Sequence, residues 1–149
     1  MNTETICTLA RQQEFFEEFN DEEIKYLCET VGKPHPLPKG RVLFEERDHG
    51  SEMFFILAGR IQITVNGKIL TLLNEGDIAG EIALLLGDGH RTASGKVTRN
   101  AQVWSISSAN LEKISSERSE IAYKLMKQIA KNGAKKLKRA NLKTLQQQA

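Results

Sequence analysis

The chain has 149 residues, 40% of them apolar and 27% charged, with a formal net charge of +2 at neutral pH. That length suits one domain with a core of its own plus some peripheral helix. No apolar run approaches the roughly 20 residues of a membrane span, and residues 1–30 carry acids where a secretory signal would carry a basic and then an apolar stretch.

Charge is divided unevenly along the chain. Residues 1–112 hold 11 Lys/Arg against 17 Asp/Glu, and residues 113–149 hold 10 against 2, so the body is acidic and the tail basic. A solvated helix face is the simpler reading of that tail. A contact surface for an acidic partner, nucleic acid or anionic lipid is the sharper one. Cys7 and Cys28 lack CxxC or zinc-type spacing and read as reduced thiols of a cytoplasmic protein. His35, His49 and His90 share no metal-ligand spacing, so no metal centre is expected.

Residues 3–18 place Leu9, Phe15 and Phe16, with Phe19 just beyond, at roughly helical spacing. NDEEIKYLCETVG follows: Asn20 is an N-cap, Glu23 completes a capping box, and Gly32 ends the run. Ile24, Leu27, Cys28 and Val31 form one apolar face. KPHPLPKG then holds all three prolines, a helix breaker of extended character. RVLF (41–44) reads as a short strand, EERDHG (45–50) as a turn, SEMFFILAG (51–59) as a buried strand and RIQITV (60–65) as an alternating one. Asn66-Gly67 is a hairpin signal, with KILTLL (68–73) returning and NEGD (74–77) turning again. QVWSI (102–106) is a late strand. Close-spaced strands over about 34–106 predict an α+β protein built on a small antiparallel β-barrel (jelly roll). A short helix, IALLLG, interrupts the strands once.

N-terminal helices over about 3–32 and C-terminal helices from 107 flank this barrel. Ser108 is placed to cap a helix over 109–116. Ser119 is placed to cap a longer one with Ile121, Leu125 and Ile129 along one side. Asn132-Gly133 should interrupt or end that helix. The expected organisation is a domain over 1–133 and a basic helical extension over 134–149.

The stretch GEIALLLGDGHRTAS (80–94) carries the chemistry. A helix beginning near Glu81 leaves its first amides, around Ile82 and Ala83, without intrahelical partners at the positive end of the dipole. Gly80 lets a ligand approach that backbone closely. Arg91 can meet the same anion with a charge-assisted contact, and Thr92 adds a hydroxyl. Glu81 would repel an anion, but a carboxylate accepts from sugar hydroxyls, as where an acid holds a ribose 2′-OH. Donors for phosphate and an acceptor for ribose at fixed separation describe a nucleotide. Taken singly, an N-terminal helix acid and a plain Glu81–Arg91 salt bridge are the simpler alternatives.

This stretch resembles the phosphate-binding cassette of the cyclic-nucleotide-binding domain family, which includes catabolite activator proteins, protein kinase A regulatory subunits and nucleotide-gated channels. The pattern G-E-[apolar]-A-L-L, a short loop, then R-[T/S/A]-A is met by Gly80, Glu81, Ile82, Ala83, Leu84, Leu85, Arg91, Thr92 and Ala93. FNDEEIKYLCE resembles the family's first helix and residues 37–77 its strand run. The likeness extends over about 12–131.

It implies that Glu81 takes the ribose 2′-OH and that Arg91 pairs with the cyclic phosphate beside the amides of Ile82 and Ala83. Thr92 and the Ala93 backbone lie next to it, and Leu70, Thr71 and Leu73 form a wall for the base. Leu84 and Leu85 are expected in the core or against the C-terminal helices. The sequence departs from the family at His90, where proline is common, and at Gly95, where an apolar residue is usual. In some family members an acid or a polar residue in the turn near 45–50 supports the arginine, and Glu45, Glu46 and Asp48 are the acids at that place here.

The implied function is a non-catalytic sensor for cyclic AMP, favoured over cyclic GMP, that couples binding to movement of its C-terminal helices. It needs no other cofactor. Expected partners are the nucleotide and, through those helices, a second copy or an effector protein; a full DNA-binding domain does not fit after residue 132. The alternative is a ligand-free interaction or oligomerisation module acting through the basic C-terminal helix. No nucleophile–base pair, metal cluster or P-loop supports an enzyme.

Overall fold

A computed structural model describes residues 2–87 and 89–148. Helix α1 (Thr3–Arg11) is capped by Asn2, whose Oδ1 accepts from the Thr5 N–H at 2.8 Å. The helix stops there, and a single 3₁₀ turn (Glu14–Phe16) follows. That turn seats Phe15 and Phe16 against Phe55 of the sheet, with ring centroids 4.7 and 4.9 Å away. Helix α2 (Asp21–Val31) carries the expected capping box. Asn20 Oδ1 accepts from the Glu23 N–H at 2.9 Å, and Glu23 Oε1 accepts from the Asn20 N–H at 3.0 Å.

Six strands form one antiparallel sheet: β1 (His35–Leu37), β2 (Val42–Phe44), β3 (Glu52–Val65), β4 (Lys68–Leu73), β5 (Ile78–Ala79) and β6 (Ser94–Ser107). The ladder runs β1-β6-β3-β4, with β2 also on β6 and β5 on β3. The result is the expected α+β, jelly-roll-like fold, in which the sheet does not close on itself. The proline segment contributes β1, because His35–Leu37 pairs with Ala101–Val103 at an edge where Pro36 lacks no required donor. Asn66 and Gly67, with φ of 51° and 76°, make the hairpin turn between β3 and β4.

The two strands expected over 51–65 are one continuous strand, and its middle explains why they read differently. Met53, Phe55 and Leu57 face the helices, whereas Ile61 and Ile63 face the interior of the roll. An odd-numbered set changes face only where the pairing slips. The ladder to β6 indeed shifts between Ile56 and Ile61. Gly59 lies at that point with φ of 95°, and a Cβ there would stand 2.4 Å from the Asn100 carbonyl oxygen. One strand thereby serves two cores: the helical layer around Phe16, Leu27, Trp104 and Ile129, and the roll interior around Ile56, Val97 and Val103.

Helix α3 (Glu81–Leu86) follows β5, and α4 (Ser108–Glu117) and α5 (Ser119–Gln148) follow β6. Two caps shift by one residue from expectation. Ser107, not Ser108, caps α4, its Oγ accepting from the Asn110 N–H at 3.1 Å. Arg118 precedes α5, its carbonyl accepting from Ile121 and Ala122. The larger difference is at Asn132-Gly133, where α5 runs through unbroken for 30 residues. Asn132 is buried on the same inward face as Leu125 and Ile129, so packing overrides the local breaker.

Helix α5 also accounts for the charge asymmetry. Its cations meet acids of the body: Lys124 with Glu23 at 2.8 Å, Lys127 with Glu18 at 2.9 Å, Lys135 with Glu14 at 3.1 Å and Lys136 with Glu81 at 2.7 Å. Much of the basic tail thus lies on the acidic body. Beyond residue 132 the apolar side chains Leu137, Leu142 and Leu145 are exposed.

Candidate functional site

The residues singled out in the sequence converge on one cleft. Gly80, Glu81, Ile82, Ala83, Arg91, Thr92, Ala93, Leu70, Thr71 and Leu73 all line it, together with Phe44, Ile63, Ala79 and Lys136. Strand β4 supplies one wall, α3 and the residues before it the floor, and α5 reaches over from outside. Leu84 is buried in the helical core, as expected, while Leu85 is half exposed beside α4 and α5.

Arg91 is 6% exposed, an unusual position for a guanidinium that no carboxylate among the described residues binds. Its Nη1 donates to two main-chain oxygens, Glu52 at 2.9 Å and Gly80 at 3.1 Å. Its Nε is buried and donates to no group among the described residues. The guanidinium carbon lies 4.8 Å from the centroid of the Phe44 ring and 5.7 Å from that of Phe54. Burial pushes the Arg91 pKa down from its ordinary value, with the charge of Glu52 opposing. An arginine remains a cation at neutral pH all the same.

Two glycines make room for that side chain. Gly80 has φ of 81°, and a Cβ there would stand 2.5 Å from Arg91 Nη1. At Gly50 a Cβ would stand 2.2 Å from Arg91 Nε. The turn carrying Gly50 is fastened to the cassette loop by main-chain bonds: Arg91 N–H to Asp48 at 2.8 Å, Arg47 N–H to the Arg91 carbonyl at 2.8 Å, and Gly50 N–H to Gly89 at 2.6 Å. The His49 and His90 rings lie alongside, 4.7 Å apart. Histidine in place of proline therefore does not leave Arg91 on an untethered strand.

The support expected from an acid in the 45–50 turn takes another form. Asp48 acts through its carbonyl, Glu46 accepts from the Asn66 N–H at 2.7 Å, and neither carboxylate binds the arginine. Gly95 also has a packing reason. A Cβ there would stand 2.9 Å from the Phe44 ring, the ring that lies under the guanidinium.

Glu81 and Arg91 do not pair with each other. Glu81 Oε1 accepts from Lys136 Nζ at 2.7 Å, and Lys136 donates also to the Ile78 carbonyl at 2.5 Å. Sequence reasoning missed Lys136 because a helix expected to break at Asn132-Gly133 has no predictable phase beyond it. Phe44 was readable as strand but not as a platform for a cation.

A jelly-roll-like sheet holding a buried, carbonyl-tethered arginine at the edge of an apolar cleft defines a small-ligand-binding module. The sequence profile of the cyclic nucleotide-binding domain matches residues 34–118, more than half of the chain, and the chain belongs to that family. It is 35% identical over 75 residues to the Pycsar effector protein XpPycTIR of Xanthomonas perforans, a match covering 50% of this chain and 25% of that protein. The chain thus spans about a quarter of that relative's length. A cyclic nucleotide-binding domain from Methylobacillus flagellatus shares the fold with a TM-score of 0.81 at 21% identity, over 97% of this chain and 83% of the other. The catabolite activator protein of Thermus thermophilus does so with a TM-score of 0.69 at 21% identity, over 87% and 61%. Among the described residues, no helix is long and apolar enough to cross a membrane.

Proposed function

We propose that this chain is a cyclic-nucleotide sensor, without chemistry of its own, in which occupancy of the cleft is passed to the C-terminal helices. The observation that carries the reading is Arg91: buried, charged and stacked on Phe44 and, among the described residues, held only by carbonyls, with Nε unpartnered. A buried cation without a counter-anion is costly, and a ligand phosphate would relieve that cost. Glu81 stands on the same cleft as an acceptor for the ribose 2′-OH. The amides of Ile82 and Ala83, together with Thr92 and Ala93, complete the phosphate side.

The base then lies toward the rim, against Leu70, Thr71, Leu73 and Ile82. That wall is apolar except for the Thr71 hydroxyl. Adenine has no carbonyl to desolvate, so it suits this wall better than the more polar guanine. Cyclic AMP is therefore the favoured ligand over cyclic GMP. The free thiols Cys7 and Cys28 suit the cytoplasm. Calorimetric titration with both nucleotides tests this. Arg91→Ala should lose roughly 1.5–3 kcal/mol, or about 10–100-fold in affinity. Equal binding by wild type and variant would remove Arg91 from the site.

A second reading rests on Leu137, Leu142 and Leu145, which α5 exposes beyond the body. It makes the same helix the contact for a second copy or an effector protein. Light scattering with and without nucleotide distinguishes self-association from a monomer awaiting another partner. Nucleic acid is not proposed, since much of the basic face of α5 is turned to acids of the body.

A further inference from the structure

Lys136 stands 55 residues after Glu81 and on a helix that sequence reasoning places outside the domain, yet its ammonium group lines the cleft. It donates to Glu81 Oε1 at 2.7 Å and to the Ile78 carbonyl at 2.5 Å. Both side chains are sheltered, Glu81 at 13% and Lys136 at 27% exposure, unlike the neighbouring Lys135 pair at 52% and 73%. Glu81 Oε2 accepts no hydrogen bond among the described residues.

Resting on the sensor reading, we propose that Lys136 is a positioning residue for ribose recognition: it pins one oxygen of Glu81 and leaves the other for the 2′-hydroxyl. Two physical difficulties are removed together. A glutamate at the edge of an open cleft samples several rotamers, and each ordering of it on binding weakens the ligand. With Oε1 held from α5 and the ammonium fixed by the Ile78 carbonyl, the carboxylate is ordered before the ligand arrives. A bare carboxylate would also repel the anionic phosphate across the cleft, and the adjacent ammonium cancels that charge. Among the described residues, Arg91 is then the uncompensated charge of the cleft. The ligand site in this account extends beyond residue 133, and the C-terminal half of α5 is part of what selects a ribonucleotide.

The test compares 3′,5′-cyclic AMP with its 2′-deoxy counterpart on wild type, Lys136→Met and, as a neighbour that pairs elsewhere, Lys135→Met. Wild type and Lys135→Met should share one preference for the ribo form. Lys136→Met should lose about ten-fold in ribo affinity, with a distinctly smaller loss for the deoxy form, so that the preference contracts. An unchanged preference in Lys136→Met overturns the proposal, as does tighter ribo binding, which would make Lys136 a competitor for Glu81. A contraction of the same size in Lys135→Met overturns it too. Absence of binding by wild type overturns the sensor reading and this proposal with it.

Discussion

A single methyl group added to Gly50 would stand 2.2 Å from Nε and 2.5 Å from Cζ of Arg91, two residues 41 positions apart in the chain. The guanidinium occupies the space that a side chain would fill at Gly50. Gly80 leaves a similar opening at Nη1, and the guanidinium carbon lies over the Phe44 ring. The position of the cation is thus set by backbone and by a ring, neither of which needs a ligand to be in place.

Gly50→Ala should therefore act on the ligand site and little on the fold. Gly50 does not have a positive φ, so alanine meets no backbone penalty there. The expected result is a loss of about ten-fold in nucleotide affinity, with the thermal midpoint moving by only a few degrees. Titration and differential scanning calorimetry on the same samples check it. Unaltered affinity would show that the guanidinium can give way.

Gly80→Ala should differ in kind. Its φ of 81° is a left-handed conformation, and the added Cβ would also meet Arg91 and the Glu52 carbonyl oxygen, at 2.5 and 3.1 Å. Strain of that sort costs roughly 1–3 kcal/mol. Urea denaturation should register this as a lower midpoint at unchanged slope, and an undiminished midpoint would contradict it.

Glu23 carries two duties that make it a stability residue far from the cleft. It completes the α2 capping box and receives Lys124 on both oxygens, at 2.8 and 2.9 Å. Glu23→Ala removes both and should cost at least about 1.5–3 kcal/mol in urea denaturation, the value of one charged hydrogen bond. Nucleotide affinity per folded molecule should stay at the wild-type value.

Acid should loosen the docking of the C-terminal helices. Hydrogen bonds from Arg118 hold the Glu22 and Glu120 carboxyls below their ordinary value, and one from Lys127 does the same for Glu18. A carboxyl with a lowered folded pKa contributes stability above its unfolded pKa, and the contribution disappears as pH falls through the folded value. Thermal midpoints of wild type should thus fall between about pH 5 and about pH 3, and those of Arg118→Met should fall less over that interval. Parallel profiles for the two proteins would show that the two Arg118 pairs do not bear on stability.

What the sequence made legible is what is encoded locally. The Asn20–Glu23 capping box, the Asn66-Gly67 turn and the start of the cassette helix at Glu81 all depend on a few consecutive residues, and all appear where expected. The features that were not legible arise from pairing over distance. His35–Leu37 is a strand because β6 is beside it, and Glu52–Val65 is one strand because β6 follows the slip at Gly59. Asn132-Gly133 carries a helix-ending composition, but Asn132 is buried on a helical face already fixed by Ile121, Leu125 and Ile129. The cleft follows the same division. Its cassette residues are consecutive and were readable, whereas Lys136 and Phe44 reach it only through the fold.

The unbroken course of α5 has a mechanical consequence. Residues 133–148 form a helical rod of about 24 Å at 1.5 Å per residue, joined to the body through Lys135, Lys136 and Arg139. A rod of that length turns a tilt of ~10° at its base into a displacement of ~4 Å at its tip. Angstrom-scale rearrangement where the ammonium of Lys136 meets the cleft would therefore be magnified several-fold at Leu145, without any joint between.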